Sequence, residues 1–291
     1  MARWCVVAAV IVLLRAAPAF SSPCSPMSVT DPYEQLDQGY RALYNLDFDG
    51  GQRLFMQWAM HEPQNPLGPV SQASGYLFQE FERLGVLKSE LFADDAAFEA
   101  RRKPSPDREL KLRFQQQLLL ADRLADETLA QNPSSPDALL AKTLMNGLQA
   151  DYAALIEKRN GASLSYTKEG RRWAERLLHG DASCYDAYLA LGAENYLVSI
   201  KPVLVRWIAR LSGARDDRER GLQQLRLAAQ HARFLKPFAK LLLAVAALRD
   251  HDRGMARMLL AELQQEFPRN PLYSDELSRL NNRSANPQGD D

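Results

Sequence analysis

The chain has 291 residues, 46% of them apolar, with 36 basic and 36 acidic side chains and no net charge. Such a length and apolar content support a large buried core. The charge balance argues against a basic nucleic-acid-binding face, which must displace counterions, and against an acidic disordered chain.

The N-terminus reads as a secretory signal peptide. Arg3 supplies the positive start, and Trp4–Leu14 is an apolar run too short to span a bilayer. Ala17-Pro18-Ala19 puts small residues before a cleavage point ahead of Phe20. Residues 1–19 are therefore expected to be a leader, with an uncleaved anchor as the alternative. Residues 20–31 are a Ser/Pro-rich linker expected to be extended. No later stretch is long and apolar enough to be transmembrane. The expected location is the periplasm or cell envelope. Export removes Cys5 and leaves Cys24 and Cys184. Two free thiols is the favoured reading; a disulfide, which export permits, is an alternative. Lipid attachment at Cys24 is another, but Ser21 and Pro23 fit its pattern poorly.

Asp31-Pro32 predicts the start of the first helix. Leu36, Gly39, Tyr40, Leu43 and Tyr44 carry the spacing of a buried helical stripe. The segment from Asn45 to Gly50 looks like the opening of a calcium loop. Met56 stands where a clasping carboxylate is needed, so the segment reads as a turn. Pro63 and Pro66 end the second helix. Gly85–Glu109 is the most loop-like internal segment, with a protease-sensitive stretch near Arg101–Pro106. A long helix is predicted over Leu110–Asn132. Asn160-Gly161 reads as a helix end and Asp216–Arg220 as a helix start. Leu272–Leu280 reads as a capping helix, and 283–291 as a disordered polar tail.

One spacing runs through these elements. Gly51, Ala121, Gly170, Gly221 and Ala256 each precede a helix-ending position by the same interval. Those positions hold Pro63, Pro133, Ala182, Arg233 and Pro268. Between them lie Trp58, Thr128, Leu177, Ala228 and Leu263. Upstream sit Gly39, Ala73, Thr143, Gly192 and Ala244, small residues in four of five copies.

These positions resemble the tetratricopeptide repeat, a two-helix unit of about 34 residues. The resemblance implies an all-α, right-handed solenoid of about five helix pairs over residues 32–282. Its small residues sit where paired helices approach closely. The links inside the second, third and fourth copies are too long by roughly 36, 15 and 17 residues against that repeat length. The excess falls near Gly85–Glu109, Ala150–Tyr166 and Ser199–Arg220. The pattern is similar to divergent exported bacterial members of the superfamily without an established activity, so it implies a fold and no reaction.

In that family the concave groove comes mainly from the first helices. Here its positions are mostly apolar, including Leu36, Tyr40, Leu140, Leu189, Tyr196 and Leu241. The Lys, Asn and Arg of the family's peptide-carboxylate clamp are missing, so an acidic C-terminal peptide is rejected as ligand. A continuous apolar groove is costly in water, and filling by the inserted segments is the favoured outcome. Tyr40, Tyr188, Asn195 and Tyr196 are the candidate partner contacts. Lys201–Arg215 is a basic amphipathic segment whose Arg206, Trp207 and Arg210 are candidate membrane contacts. Packing of that segment on the solenoid is the favoured alternative.

His179, Asp181 and Cys184 cluster in sequence but lie in a helix connection, which argues against a catalytic cysteine. His61, His231 and His251 show no metal-ligand spacing. No cofactor, metal or catalytic residue is therefore expected. The sequence predicts a non-enzymatic exported scaffold for a protein partner, with peripheral membrane docking as the alternative. Its oligomeric state is left open.

Overall fold

The computed structural model describes residues 22–24, 31–86, 104–199 and 217–285, without the side chains of 197–199 and 283–285. Among these it contains eleven α-helices and no strand. They are α1 (Glu34–Tyr44), α2 (Phe48–His61), α3 (Leu67–Leu84), α4 (Arg108–Gln131) and α5 (Pro136–Asp151). Then follow α6 (Asn160–Gly180), α7 (Tyr185–Ser199), α8 (Arg218–His231), α9 (Lys236–Arg249), α10 (Arg253–Glu266) and α11 (Pro271–Ala285). The all-α class is the one predicted.

Aspartates start several helices. Asp47, Asp107, Asp217 and Asp252 each accept a backbone N–H from the residue three positions on: Gly50 (2.9 Å), Leu110 (2.9 Å), Arg220 (3.0 Å) and Met255 (2.9 Å). Each bond satisfies a donor that the first turn leaves without an intrahelical acceptor.

The helix ends repeat with the spacing seen in the sequence. After α2, α4, α6, α8 and α10, the N–H groups of Glu62, Asn132, Asp181, Ala232 and Phe267 close the last turn. They donate to the carbonyls of Trp58, Thr128, Leu177, Ala228 and Leu263 over 2.8–2.9 Å. In four of these turns a second bond follows from three residues later: Asn65 to Glu62, Ser135 to Asn132, Cys184 to Asp181 and Asn270 to Phe267. The turns inside the first and last pairs also match. Leu46 (φ 61°) and His251 (φ 60°) take the left-handed conformation, and the next N–H, of Asp47 or Asp252, returns to Ala42 or Ala247.

Every helix packs on its sequence neighbour, and α1, α3, α5 and α7 each also touch the next odd-numbered helix. The odd helices therefore form one row. All the large apolar side chains exposed among the described residues stand on even helices: Met56 and Met60, Leu112 and Leu119, Leu227, Met255 and Met258. The helices α7 and α8 approach closely at Gly192 and Gly221. A Cβ on Gly221 would stand 2.7 Å from Tyr196 N and 3.1 Å from Gly192 O. Both are backbone atoms, so any side chain there would force the helices apart.

Several boundaries differ from the sequence reading. The first helix begins at Glu34 rather than at Pro32, because Asp31 turns back to accept the N–H of Tyr33 at 2.9 Å. Asn160-Gly161 opens α6 instead of ending a helix. The break lies earlier, in the π-helical turn Tyr152–Ile156 and at left-handed Lys158 (φ 54°). The last helix runs to Ala285, into the segment expected to be a disordered tail. The leader 1–19, the segment 201–215 and residues 286–291 lie outside the described residues, as does most of the linker 20–31.

The inward faces of α1 and α3 are core. Leu36, Tyr40, Leu43, Val70 and Leu77 are buried. Part of their cover comes from late in the chain. Phe234 lies 5.1 Å from Tyr40, Phe238 lies 6.3 Å from Phe78, and Phe267 lies 5.3 Å from Tyr44, between ring centroids. The row of helices thus returns on itself, and its first helix meets the segment 233–267. Much of the excess chain expected to fill the groove lies outside the described residues. Within them, these rings, from the turn before α9, from α9 and from the turn after α10, lie over the first two inward faces.

Candidate functional site

The place where the first helix meets the late segment is a polar seam, built on a departure from the repeat pattern. Where three copies have proline, the fourth has Arg233. Proline has no N–H to give. Here the N–H groups of Arg233, Phe234 and Leu235 all donate to the buried carboxylate of Asp186, at 2.8, 2.9 and 2.8 Å. Asp186 sits in the first turn of α7, so one carboxylate ties that helix to the start of α9. Burial pushes its pKa up, and the three backbone donors oppose the rise.

The Arg233 side chain points the other way, into α1. Its Nε donates to Asp37 at 2.9 Å, and a terminal nitrogen donates to Asp31 at 2.7 Å. The side chains are 8%, 12% and 6% exposed for Arg233, Asp37 and Asp31. Burial pushes the pKa of Asp37 up and Arg233 pulls against that shift. The guanidinium also stands 5.3 Å from the Tyr33 ring centre and 5.5 Å from that of Phe234. Further along α1, the Tyr44 hydroxyl donates to the Phe234 carbonyl (3.1 Å), and the Asn270 amide donates to the Tyr44 carbonyl (2.9 Å). Arg41 pairs with Glu266 at 2.9 Å.

Cys24 and Cys184 are joined by a disulfide, with Cα atoms 4.5 Å apart. The favoured reading of two free thiols is corrected. The bond ties the N-terminal segment around Cys24 to the α6–α7 turn. It also removes Cys184 as a nucleophile and both sulfurs as thiolate ligands, although Asp181 lies close to them.

A cleft of about 580 Å³ opens along this seam. Arg41, Lys236 and His231 line it, above the almost fully buried Tyr40, Tyr44, Phe234 and Phe267.

Of the candidate partner contacts, three are interior residues. Tyr40, Asn195 and Tyr196 are 2%, 4% and 1% exposed. The Tyr40 hydroxyl lies 3.2 Å from Ser71 and 3.4 Å from Ser74. The Asn195 amide donates to Gln224 at 2.8 Å. Only Tyr188 is half-exposed, its hydroxyl donating to the Ala182 carbonyl at 3.3 Å. In a two-layer array, residues facing the inner row become core once the row closes. Arg206, Trp207 and Arg210, the candidate membrane contacts, lie outside the described residues. No described helix is long and apolar enough to cross a membrane. The seam residues Asp31, Asp37 and Arg233 were not singled out as a site in the sequence. The missing proline at Arg233 was their one visible signal.

Away from the seam, burial alone pushes the Asp151 pKa up to about 7. No hydrogen bond or ion pair reaches this carboxylate among the described residues. Unfolded, the group titrates near 4. Between those values the folded state holds a proton that the unfolded chain releases, so stability falls as pH rises from about 4 to 7 and is flat above. Asp151 is partly exposed, which reduces the effect. Asp151→Asn should stabilise the protein by about 1–2 kcal/mol at pH 8 and leave it unchanged at pH 4. Urea unfolding at the two values checks this; an equal effect at both would remove the titration argument.

Fold and seam define the class: an all-α protein of stacked helices whose first helix is tied back to its last ones. Comparison with family models, curated proteins and solved structures finds no match for the chain.

Proposed function

We propose that this chain is a non-catalytic, exported scaffold of tetratricopeptide-like helix pairs that binds another protein at the cell envelope. The observation that carries this reading is the recurrence of one helix-ending hydrogen bond at five places in the repeat spacing. Repeated two-helix units stack because none can bury its apolar face alone, and stacked arrays present long surfaces for partners. The disulfide supports export, since such bonds persist in oxidising compartments. The binding surface in this reading is the outer row of even helices. The exposed methionines of α2 and α10 are adaptable contacts of the kind that protein-binding surfaces use.

The test is affinity capture from envelope extract with the mature chain, beside a Met56→Glu/Met60→Glu variant and a Met255→Glu/Met258→Glu variant. These positions are exposed, so the variants should fold. A specific partner captured by the wild type and lost with either variant supports the scaffold reading. No specific partner, or one held equally by all three, refutes the outer-row reading.

A further inference from the structure

We propose that reduction of the Cys24–Cys184 disulfide turns this corner of the seam into a zinc site, with Cys24, Cys184 and Asp181 as its ligands. The inference goes beyond the scaffold reading and does not rest on it. The two sulfurs and a carboxylate oxygen of Asp181 lie within 4.8 Å of one another. Zinc bonded to sulfur at about 2.3 Å and to oxygen at about 2.1 Å holds tetrahedral ligand atoms about 3.6–3.8 Å apart, so the three fit one ion once the sulfurs separate. Oδ1 of Asp181 accepts the N–H (2.9 Å) and the hydroxyl of Ser183. These bonds orient the carboxylate and leave Oδ2 unengaged among the described residues. Cys24 lines the seam cleft, through which a reductant and the ion reach the sulfurs.

The other turns of the stack show what is unusual here. Asn65, Ser135 and Asn270 hold the place of Cys184 in the equivalent turns. Each caps the helix that follows with its side-chain oxygen, accepting the N–H of Leu67 (3.0 Å), Ala138 (3.5 Å) or Leu272 (3.0 Å). Cys184 gives up that cap for a sulfur facing Cys24. The chemistry balances in two steps. A dithiol reductant forms a mixed disulfide with one cysteine and then closes to its own disulfide, and its two electrons and two protons leave Cys24 and Cys184 as thiols. Zinc then takes both as thiolates and releases their protons to water. Two thiolates favour a thiophilic ion over calcium or magnesium, which take oxygen ligands. Three protein ligands leave the fourth position to water. The oxidised chain has no thiolate to offer, so the state of the disulfide decides whether the metal binds.

Titration of the full mature chain with cobalt(II), a spectroscopic stand-in for zinc, tests this after reduction with a phosphine and its removal without air. The reduced chain should take up a single cobalt ion, with the thiolate-to-cobalt charge-transfer band and the d–d bands of a tetrahedral ion, and zinc should displace it. Zinc should also raise the thermal midpoint of the reduced chain and leave that of the oxidised chain unmoved. Asp181→Asn should weaken zinc binding by about tenfold or more, because a neutral amide is a poorer ligand than a carboxylate. That variant should keep the turn and the disulfide, since Asn132 makes the same turn through the N–H and hydroxyl of Ser134. Cys24→Ser/Cys184→Ser should show no charge-transfer band. A reduced chain without that band or without the zinc-dependent rise in midpoint, an oxidised chain that binds equally, or an Asp181→Asn variant that binds as tightly as the wild type would each overturn the proposal.

Discussion

Replacing Arg233 with methionine should destabilise the protein by about 3–5 kcal/mol at pH 7, the cost of removing one partner from a buried ion pair. The substitution keeps the length of the side chain and leaves the backbone N–H bonds to Asp186 in place. What it removes is the cation between Asp31 and Asp37, two carboxylates with little access to water. Without it they repel each other and stand desolvated, so one must take up a proton or the first helix must leave the seam. The cost should shrink as pH falls, because burial pushes the pKa of Asp37 up and its carboxylate then takes up a proton. Arg233→Lys should recover only part of it, because a single ammonium does not reproduce the fork that reaches both acids. Urea unfolding at pH 7 and pH 3.5 gives the measurement. A loss under 1 kcal/mol at pH 7 would mean that the pair is not buried as described.

Reducing the Cys24–Cys184 disulfide should have the second large effect. The bond joins residues separated by 160 positions. A cross-link restricts the unfolded chain more as the loop it closes lengthens, and one of this size is worth about 3–5 kcal/mol. For a chain of this length that corresponds to a fall in thermal midpoint of about 10 °C. The comparison is between oxidised protein and a Cys24→Ser/Cys184→Ser variant, with reductant added to the wild type as a third sample. Reductant should move the wild type to the midpoint of the variant and leave the variant unmoved. An oxidised wild type that melts with the variant would show that the Cys24–Cys184 bond contributes nothing to stability.

Much of the local organisation was legible in the sequence. The residues at the ends of even helices, from Trp58 to Leu263, were located by spacing alone, and they are the ones whose carbonyls close each last turn. Local rules suffice there, because a helix end depends on a few neighbouring residues, their caps and the proline after them. The same rules misled at Asn160-Gly161. The chain breaks instead at Lys158, which takes the left-handed conformation although a lysine disfavours it.

The candidate site was less legible. Tyr40, Asn195 and Tyr196 were chosen as inner-row residues, and that position is why they are buried. Sequence periodicity finds the apolar face of a helix but does not say whether another helix covers it. Asp31 and Asp37 read as ordinary acids at the start of a helix, and Arg233 as a lost proline. Their pairing spans about 200 residues of chain, a separation that no local pattern encodes. The sequence by itself determined the all-α class and the ends of the five even helices from α2 to α10, because those follow from short-range hydrogen bonding and apolar spacing. Only the tertiary structure decided that the first helix is fastened to the turn before α9 and to the end of α10, through Arg233, the Tyr40–Phe234 contact and the Arg41–Glu266 pair. That closure is made by contacts between residues about 200 positions apart, which short-range hydrogen bonding and apolar spacing do not specify.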